Sequence, residues 1–262
     1  LSATLASEAL ESLFFGIFLV LAFTSVYFHV ARTDSGTEYK VRRCLALWRP
    51  IFVGSIFITV TVTAHWVTIV VRLFDAFVNF ESGTAPSQYY SNLATSTEAI
   101  KTSFLIVTLI ECDIMLIYRL WIVWNYSYMV IFIPTCAVLG LLTGPGAIYQ
   151  QTCLKAAGAD TVFLSVLSRW ITSSYAFTFV TNVYSTCGIV YRVWSAVVAS
   201  PGLGAQTSWS VPLGTLLYRS YTIFFFVSYE ARSNIQYFCI DTLCPIAGIV
   251  FMLINVRVGL GW

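Results

Sequence analysis

Seven long apolar segments dominate this chain, and they restrict what it can fold into. A helix needs roughly 20 apolar residues to cross a hydrocarbon layer of about 30 Å. The segments cover residues 12–31, 50–77, 98–124, 128–148, 169–198, 208–229 and 235–256. They use most of the 262 residues, so a second domain is not expected within this sequence. Only 10% of residues are charged and 58% are hydrophobic, whereas a soluble domain carries about 25% charged residues. Mean hydropathy is +0.80. The expected fold class is all-α: one integral membrane domain over residues 1–262, built as a seven-transmembrane-helix bundle. The sequence opens on Leu1 rather than Met and stops just past the last segment, which leaves both native ends open.

Charge placement suggests an orientation. Lys and Arg accumulate on the cytoplasmic side of membrane proteins. With the N-terminus outside, Arg32, Lys40, Arg42, Arg43 and Arg49 gather in the first inner loop, while the N-terminal segment carries Glu8 and Glu11 and no base. Trp48, Trp121, Trp124, Trp194, Trp209 and Trp262 then fall at the inner boundary, where amphipathic rings are favoured. The C-terminus is expected inside, and the plasma membrane is the default location for this layout. A net charge of +2 gives no sign of nucleic-acid binding.

The loops are short. Asn125–Ser127 is the inner connection between the third and fourth spans, so those helices are antiparallel neighbours. It contains the glycosylation sequon Asn125-Tyr126-Ser127, which this orientation places on the cytoplasmic side, where it is silent. The seven cysteines form no CxxC pair. A bridge between Cys153 and Cys239 is conceivable, with no spacing argument behind it.

Ionisable groups inside a bilayer are costly, about 2.5–3.5 kcal/mol each, and they face a bundle interior. The third span holds Glu111 and Asp113, the sixth Arg219, the second His65 and Arg72, and the seventh Asp241. The fifth span carries Thr178, Thr181, Asn182, Ser185 and Thr186. Glu111 and Asp113 point about 200° apart on a helix, so they cannot share one site. Their span is therefore expected at the centre of the bundle. Three readings stay open: ion pairs that only join helices, a ligand cavity, or an ion or proton path. Arg119 and Arg192 end the third and fifth spans beside tryptophans. They read either as snorkelling side chains or as an inner-side switch. Gly140 and Gly144 form a small-xxx-small face, for helix packing or for a dimer seam.

Several chemistries are disfavoured. A retinal Schiff base needs a lysine in the last span, and the only lysines are Lys40, Lys101 and Lys155. Two histidines, His29 and His65, are too few for a three-histidine zinc hydrolase. There is no GxSxG, HExxH or P-loop. No retinal, metal or other cofactor is expected, and an enzyme is not the favoured reading.

Some stretches carry a family resemblance. They are Ala64-His65 through Arg72 to Phe77, then Asp113, Leu116-Ile117-Tyr118-Arg119, Trp121 and Trp124-Asn125, and finally Pro245 through Val256-Arg257-Val258-Gly259-Leu260-Gly261. Together the chain resembles a large family of functionally uncharacterised seven-helix proteins from mushroom-forming fungi. The resemblance implies seven helices and supplies neither ligand nor activity. The layout is also similar to that of a G-protein-coupled receptor, with Tyr118-Arg119-Leu120 echoing the arginine motif of the third helix. The seventh span lacks an NPxxY-like sequence and the sixth lacks a Trp-x-Pro switch, and an analogy of fold does not establish function.

The leading expectation is a receptor-like bundle that binds a small or lipidic ligand through His65, Glu111, Asp113, Arg219 and Asp241, with Arg119 and Arg192 as the inner switch. The alternatives are a transporter or proton-coupled carrier, and a structural membrane protein that self-assembles into homo-oligomers. Membrane lipids are partners in all three.

Overall fold

The computed structural model describes residues 2–31, 50–91, 95–141, 173, 176–192, 195 and 235–260. The expected sixth span, with Arg219, lies outside the described residues, as do Gly144 and Cys153 and the side chains of Asp241 and Cys239. Among the described residues all regular structure is helical. The helices are α1 (Ser2–Ala31), α2 (Pro50–Phe74), α3 (Pro86–Ser91), α4 (Ser96–Val123), α5 (Tyr128–Leu141), α6 (residues 176–192) and α7 (Ile235–Leu260).

Helix α1 starts ten residues before the apolar run that announces it. Its first turns contain Glu8 and Glu11, which hydropathy places outside; burial and polar partners carry the helix through them. At its far end α2 widens into a π turn, Asp75–Asn79, and then tightens into a 3-10 turn, Phe80–Gly83. Glu81, Ser82 and Gly83 have φ of 45°, 56° and 79°, and these left-handed residues swing the chain into α3. A second left-handed pair, Asn125 and Tyr126 at 52° and 64°, closes α4, where the Tyr126 N–H donates to the Trp121 carbonyl at 2.9 Å. The glycosylation sequon therefore sits in this turn.

Helix α1 packs most extensively along α7, and α2 along α4. Phe15 and Phe18 of α1, Ile58 and Val62 of α2, Leu105 and Leu109 of α4, and Leu243, Phe251 and Met252 of α7 share one buried cluster. Two glycines set the closeness of these contacts. A Cβ on Gly248 would lie 2.7 Å from the Phe18 ring, and one on Gly54 would lie 2.1 Å from Met115 Cε. Gly140 plays the same part for α5, since a Cβ there would lie 2.8 Å from the Phe177 ring of α6. Gly140 thus meets a helix of its own chain.

The distribution of polarity is inverted relative to a soluble protein. Glu11, His65, Glu111, Asp113, Asn182 and Asn255 are buried. Phe23, Phe57, Met129 and Phe132 are exposed, at 71%, 51%, 87% and 69%. Among the described residues two helical stretches, Thr4–Phe28 and Pro50–Gly83, are long and apolar enough to cross a membrane. Tyr128–Gly140 and Thr242–Val256 are shorter apolar helical stretches.

Gly248 and Gly16 make a matched pair for testing this packing, because nothing lies within 4 Å of a Cβ on Gly16. Gly16→Ala should leave thermal stability in detergent unchanged or raise it, by up to about 1 kcal/mol. Gly248→Ala drives a methyl into the fully buried Phe18 and should cost about 1–3 kcal/mol. Equal melting temperatures for the two variants would contradict the close α1–α7 contact.

Candidate functional site

Polar side chains join the helices at two levels, separated by roughly 15 Å along α2, from Ser55 to His65. At the His65 level, His65 Nδ1 lies 2.9 Å from Glu11 Oε1, and both side chains are 1% exposed. One proton is shared in this contact between the imidazole and the carboxyl group. Trp66, the next residue, stacks on Phe15 with centroids 4.6 Å apart, and its Nε1 donates to Ser12 Oγ at 3.2 Å. These contacts pin α2 to α1.

Beyond this pair, α3 lies over the end of the bundle. Arg72 forms an ion pair with Glu98, which also takes Lys101 Nζ at 3.2 Å. The Arg72 guanidinium lies 5.7 Å from the Tyr89 ring centroid and 5.9 Å from that of Tyr90. The Tyr90 hydroxyl donates to Glu8 Oε1 at 2.8 Å. Partial burial and this bond to a carboxylate both push the Tyr90 phenol well above its usual range. Folding thus favours the neutral phenol.

Midway along α4 the two acidic residues diverge. Thr61 of α2 donates to Glu111 Oε2 at 3.4 Å. Asn182 Nδ2 of α6 donates to Asp113 Oδ1 at 3.0 Å and to the Thr178 carbonyl at 2.8 Å. Thr178, Thr181, Asn182, Ser185 and Thr186 all point inward, so the polar stripe of α6 faces the bundle.

At the Ser55 level, Arg119 donates through Nη2 to Asn255 Oδ1 of α7, and Asn255 Nδ2 donates to Ser55 Oγ of α2 at 2.8 Å. Arg119 also lies 4.9 Å from the centroid of the Phe251 ring. One arginine and one amide thereby connect three helices. Arg192 behaves differently: it is exposed and lies 5.7 Å from the Trp124 ring, whose Nε1 donates to the Gly188 carbonyl at 3.1 Å.

A pocket opens between α4, α6 and α7. Cys112, Leu116, Arg119, Asn182, Val250, Phe251 and Ile254 are among its lining residues. His65, Glu111 and Asp113 do not line it. The expected ligand set is therefore split among the described residues: His65 turns to Glu11, Glu111 to Thr61, and Asp113 stands behind Asn182. Glu111, Asp113 and Arg119 have no oppositely charged partner among the described residues. Glu11, Ser55 and Asn255 were not singled out as partners in the sequence. Their pairings span 54 to 200 residues of chain, beyond any local spacing rule. The polar interruption at Asn255 inside an apolar run was the available signal; Glu11 lies just before its run and gave none. Among the described residues no group of three His, Cys, Asp or Glu side chains could hold a metal.

No family model matches the chain, and no curated protein or solved structure matches it either.

Replacing only one member of the His65–Glu11 pair should cost about 3 kcal/mol, since it strands a buried polar partner. Glu11→Leu with His65→Leu should recover most of that loss, read as melting temperature across the double-mutant cycle. Additive losses would mean that the two side chains do not act as a pair. For α3, Tyr90→Phe should speed amide exchange in Pro86–Ser91 by about tenfold below pH 10. The raised phenol pKa means that the contact's contribution is complete below the unfolded pKa and disappears as pH rises through the folded one. The effect of Tyr90→Phe should therefore vanish at strongly alkaline pH.

Proposed function

We propose that this chain is a receptor-like seven-helix membrane protein that binds a small amphipathic or lipidic ligand inside the bundle. Embedding in a bilayer accounts for the inverted polarity: apolar side chains coat the outer faces of α1, α2 and α5, and ionisable groups sit inside. In this reading the N-terminus is outside and the C-terminus cytoplasmic. The α3 cap then faces outward, and the Arg119–Asn255–Ser55 junction lies toward the cytoplasm.

The observation that carries the ligand reading is the pocket beside Arg119 and Asn182. A purely structural bundle would be expected to neutralise its buried charges, yet among the described residues Glu111, Asp113 and Arg119 meet only neutral partners. A ligand entering between α6 and α7 would compete for the Arg119–Asn255 contact and shift α7 against α4. The inner ends of those helices would report that shift.

The test is protein purified from a native membrane in mild detergent. Native mass spectrometry should detect a retained small molecule on the wild type. Val250→Trp, which fills the pocket from one wall, should lose it while melting normally. Spin labels on the inner ends of α4 and α7 should change separation when the molecule is stripped. No retained molecule in either form would remove the ligand reading, and an unchanged separation would reduce the protein to a passive binder.

A further inference from the structure

A single contact between α4 and α6 leaves two buried oxygens without a hydrogen bond. Asn182 Nδ2 donates to Asp113 Oδ1 at 3.0 Å and to the Thr178 carbonyl at 2.8 Å. Asp113 Oδ2 and Asn182 Oδ1 are buried and have no partner, on residues that are 1% and 2% exposed. The amide cannot be turned over, because its oxygen would then face the Thr178 carbonyl, which only accepts. Asn182 Oδ1 therefore lacks a donor, and an ionised Asp113 has no proton to give. Nor does any cation among the described residues balance Asp113.

We infer that Asp113 is a proton-binding site and that its proton clasps α6 to α4. Placed on Oδ2, the proton makes that oxygen a donor to Asn182 Oδ1, while Asn182 Nδ2 still donates to Asp113 Oδ1. The carboxyl and the amide then exchange two hydrogen bonds, and Asp113 leaves no charge in the interior. One proton thus answers both orphan oxygens. The Thr178 hydroxyl, also buried without a partner, has one hydrogen and serves only one of them. A metal cation would need several further oxygens, whereas a proton needs neither ligands nor room. This proton site stands whether or not the pocket holds a ligand.

Among the described residues, the other ionisable side chains are turned elsewhere. On α4, Cys112 adjoins Asp113 as a buried thiol, Glu111 meets Thr61, Arg119 meets Asn255, and Tyr118 packs on Trp121. On α2, His65 meets Glu11 and Arg72 meets Glu98. On α7, Cys244 Sγ donates to Thr108 Oγ1 at 3.6 Å. Tyr128 and Cys136 of α5 are exposed, as are Cys187, Tyr191 and Arg192 of α6. Tyr184 points about 200° away from Asn182. The side chains of Asp241 and Arg257 lie outside the described residues.

An unfolded aspartate is ionised at neutral pH, so folding takes up this proton there. The contact is therefore fully made at low pH and weakens as rising pH strips the proton from the folded state. The full chain in lipid nanodiscs is followed from neutral to alkaline pH by infrared spectroscopy and by hydrogen exchange. At neutral pH the wild type should show a protonated-carboxyl stretching band that Asp113→Asn lacks. Asn182→Leu should move that band to higher frequency, because the carboxyl loses its acceptor. As alkali removes the band, the protection factors of residues 176–192 should fall about tenfold, the worth of one buried hydrogen bond. Asp113→Asn keeps a donor where the carboxyl proton sat, so it should hold its protection across the titration. Loss of protection or of folding in Asp113→Asn would overturn the inference, since a neutral mimic should suffice. So would identical carboxyl bands in wild type and Asp113→Asn. Protection that follows sodium at constant pH would place a metal cation there and overturn it as well. Should Asn182→Leu fail to fold, the comparison of wild type with Asp113→Asn decides alone.

Discussion

Polar side chains buried in an apolar bundle must find one another, because nothing else there can satisfy them. That requirement organises this protein. The His65–Glu11 contact joins α2 to α1, and the Ser55–Asn255–Arg119 junction joins α2 to α7 and α4. Apolar packing alone tolerates sliding and rotation. Two polar pins at separate levels of one helix do not, since a slip of one residue would turn each partner by about 100°. The relative directions of α1, α2, α4 and α7 follow from which residues meet at each level.

Close packing then fills the space between the pins. Gly248 and Gly54 allow Phe18 and Met115 to lie directly on a neighbouring backbone, which brings the helices near enough for short polar side chains such as Ser55 and Asn255 to touch. In a bilayer such closeness would matter more than apolar burial, because lipid tails are as apolar as the side chains. At the far end, Arg72 lies between Glu98 and two tyrosine rings and ties α2, α3 and α4 together. The π turn after Phe74 marks where α2 gives up regular geometry to start this cap.

The two arginines expected to form an inner-side switch have different situations. Arg192 is exposed beside Trp124, as a side chain reaching for an interface would be. Arg119 is held between Asn255 and Phe251 and borders the pocket. Of the two arginines, only Arg119 takes part in a helix junction and borders the pocket.

Helical periodicity made some of this legible from the residues alone. It separated Glu111 from Asp113, and they face α2 and α6. The polar residues of the fifth span, Thr178, Thr181, Asn182, Ser185 and Thr186, were also legible, and all of them are buried. Among the described residues hydropathy identified where helices run, because apolar length is a local property. It misjudged the start of α1, because a buried carboxylate depends on a partner 54 residues away. The sequence by itself determined the helical class and, among the described residues, the approximate course of the helices. Only the tertiary structure decided that His65 belongs to Glu11, that Arg119 belongs to Asn255, and that the pocket opens beside Asn182 rather than Glu111. Those outcomes depend on how the helices are placed against one another, and one-dimensional spacing does not encode that placement.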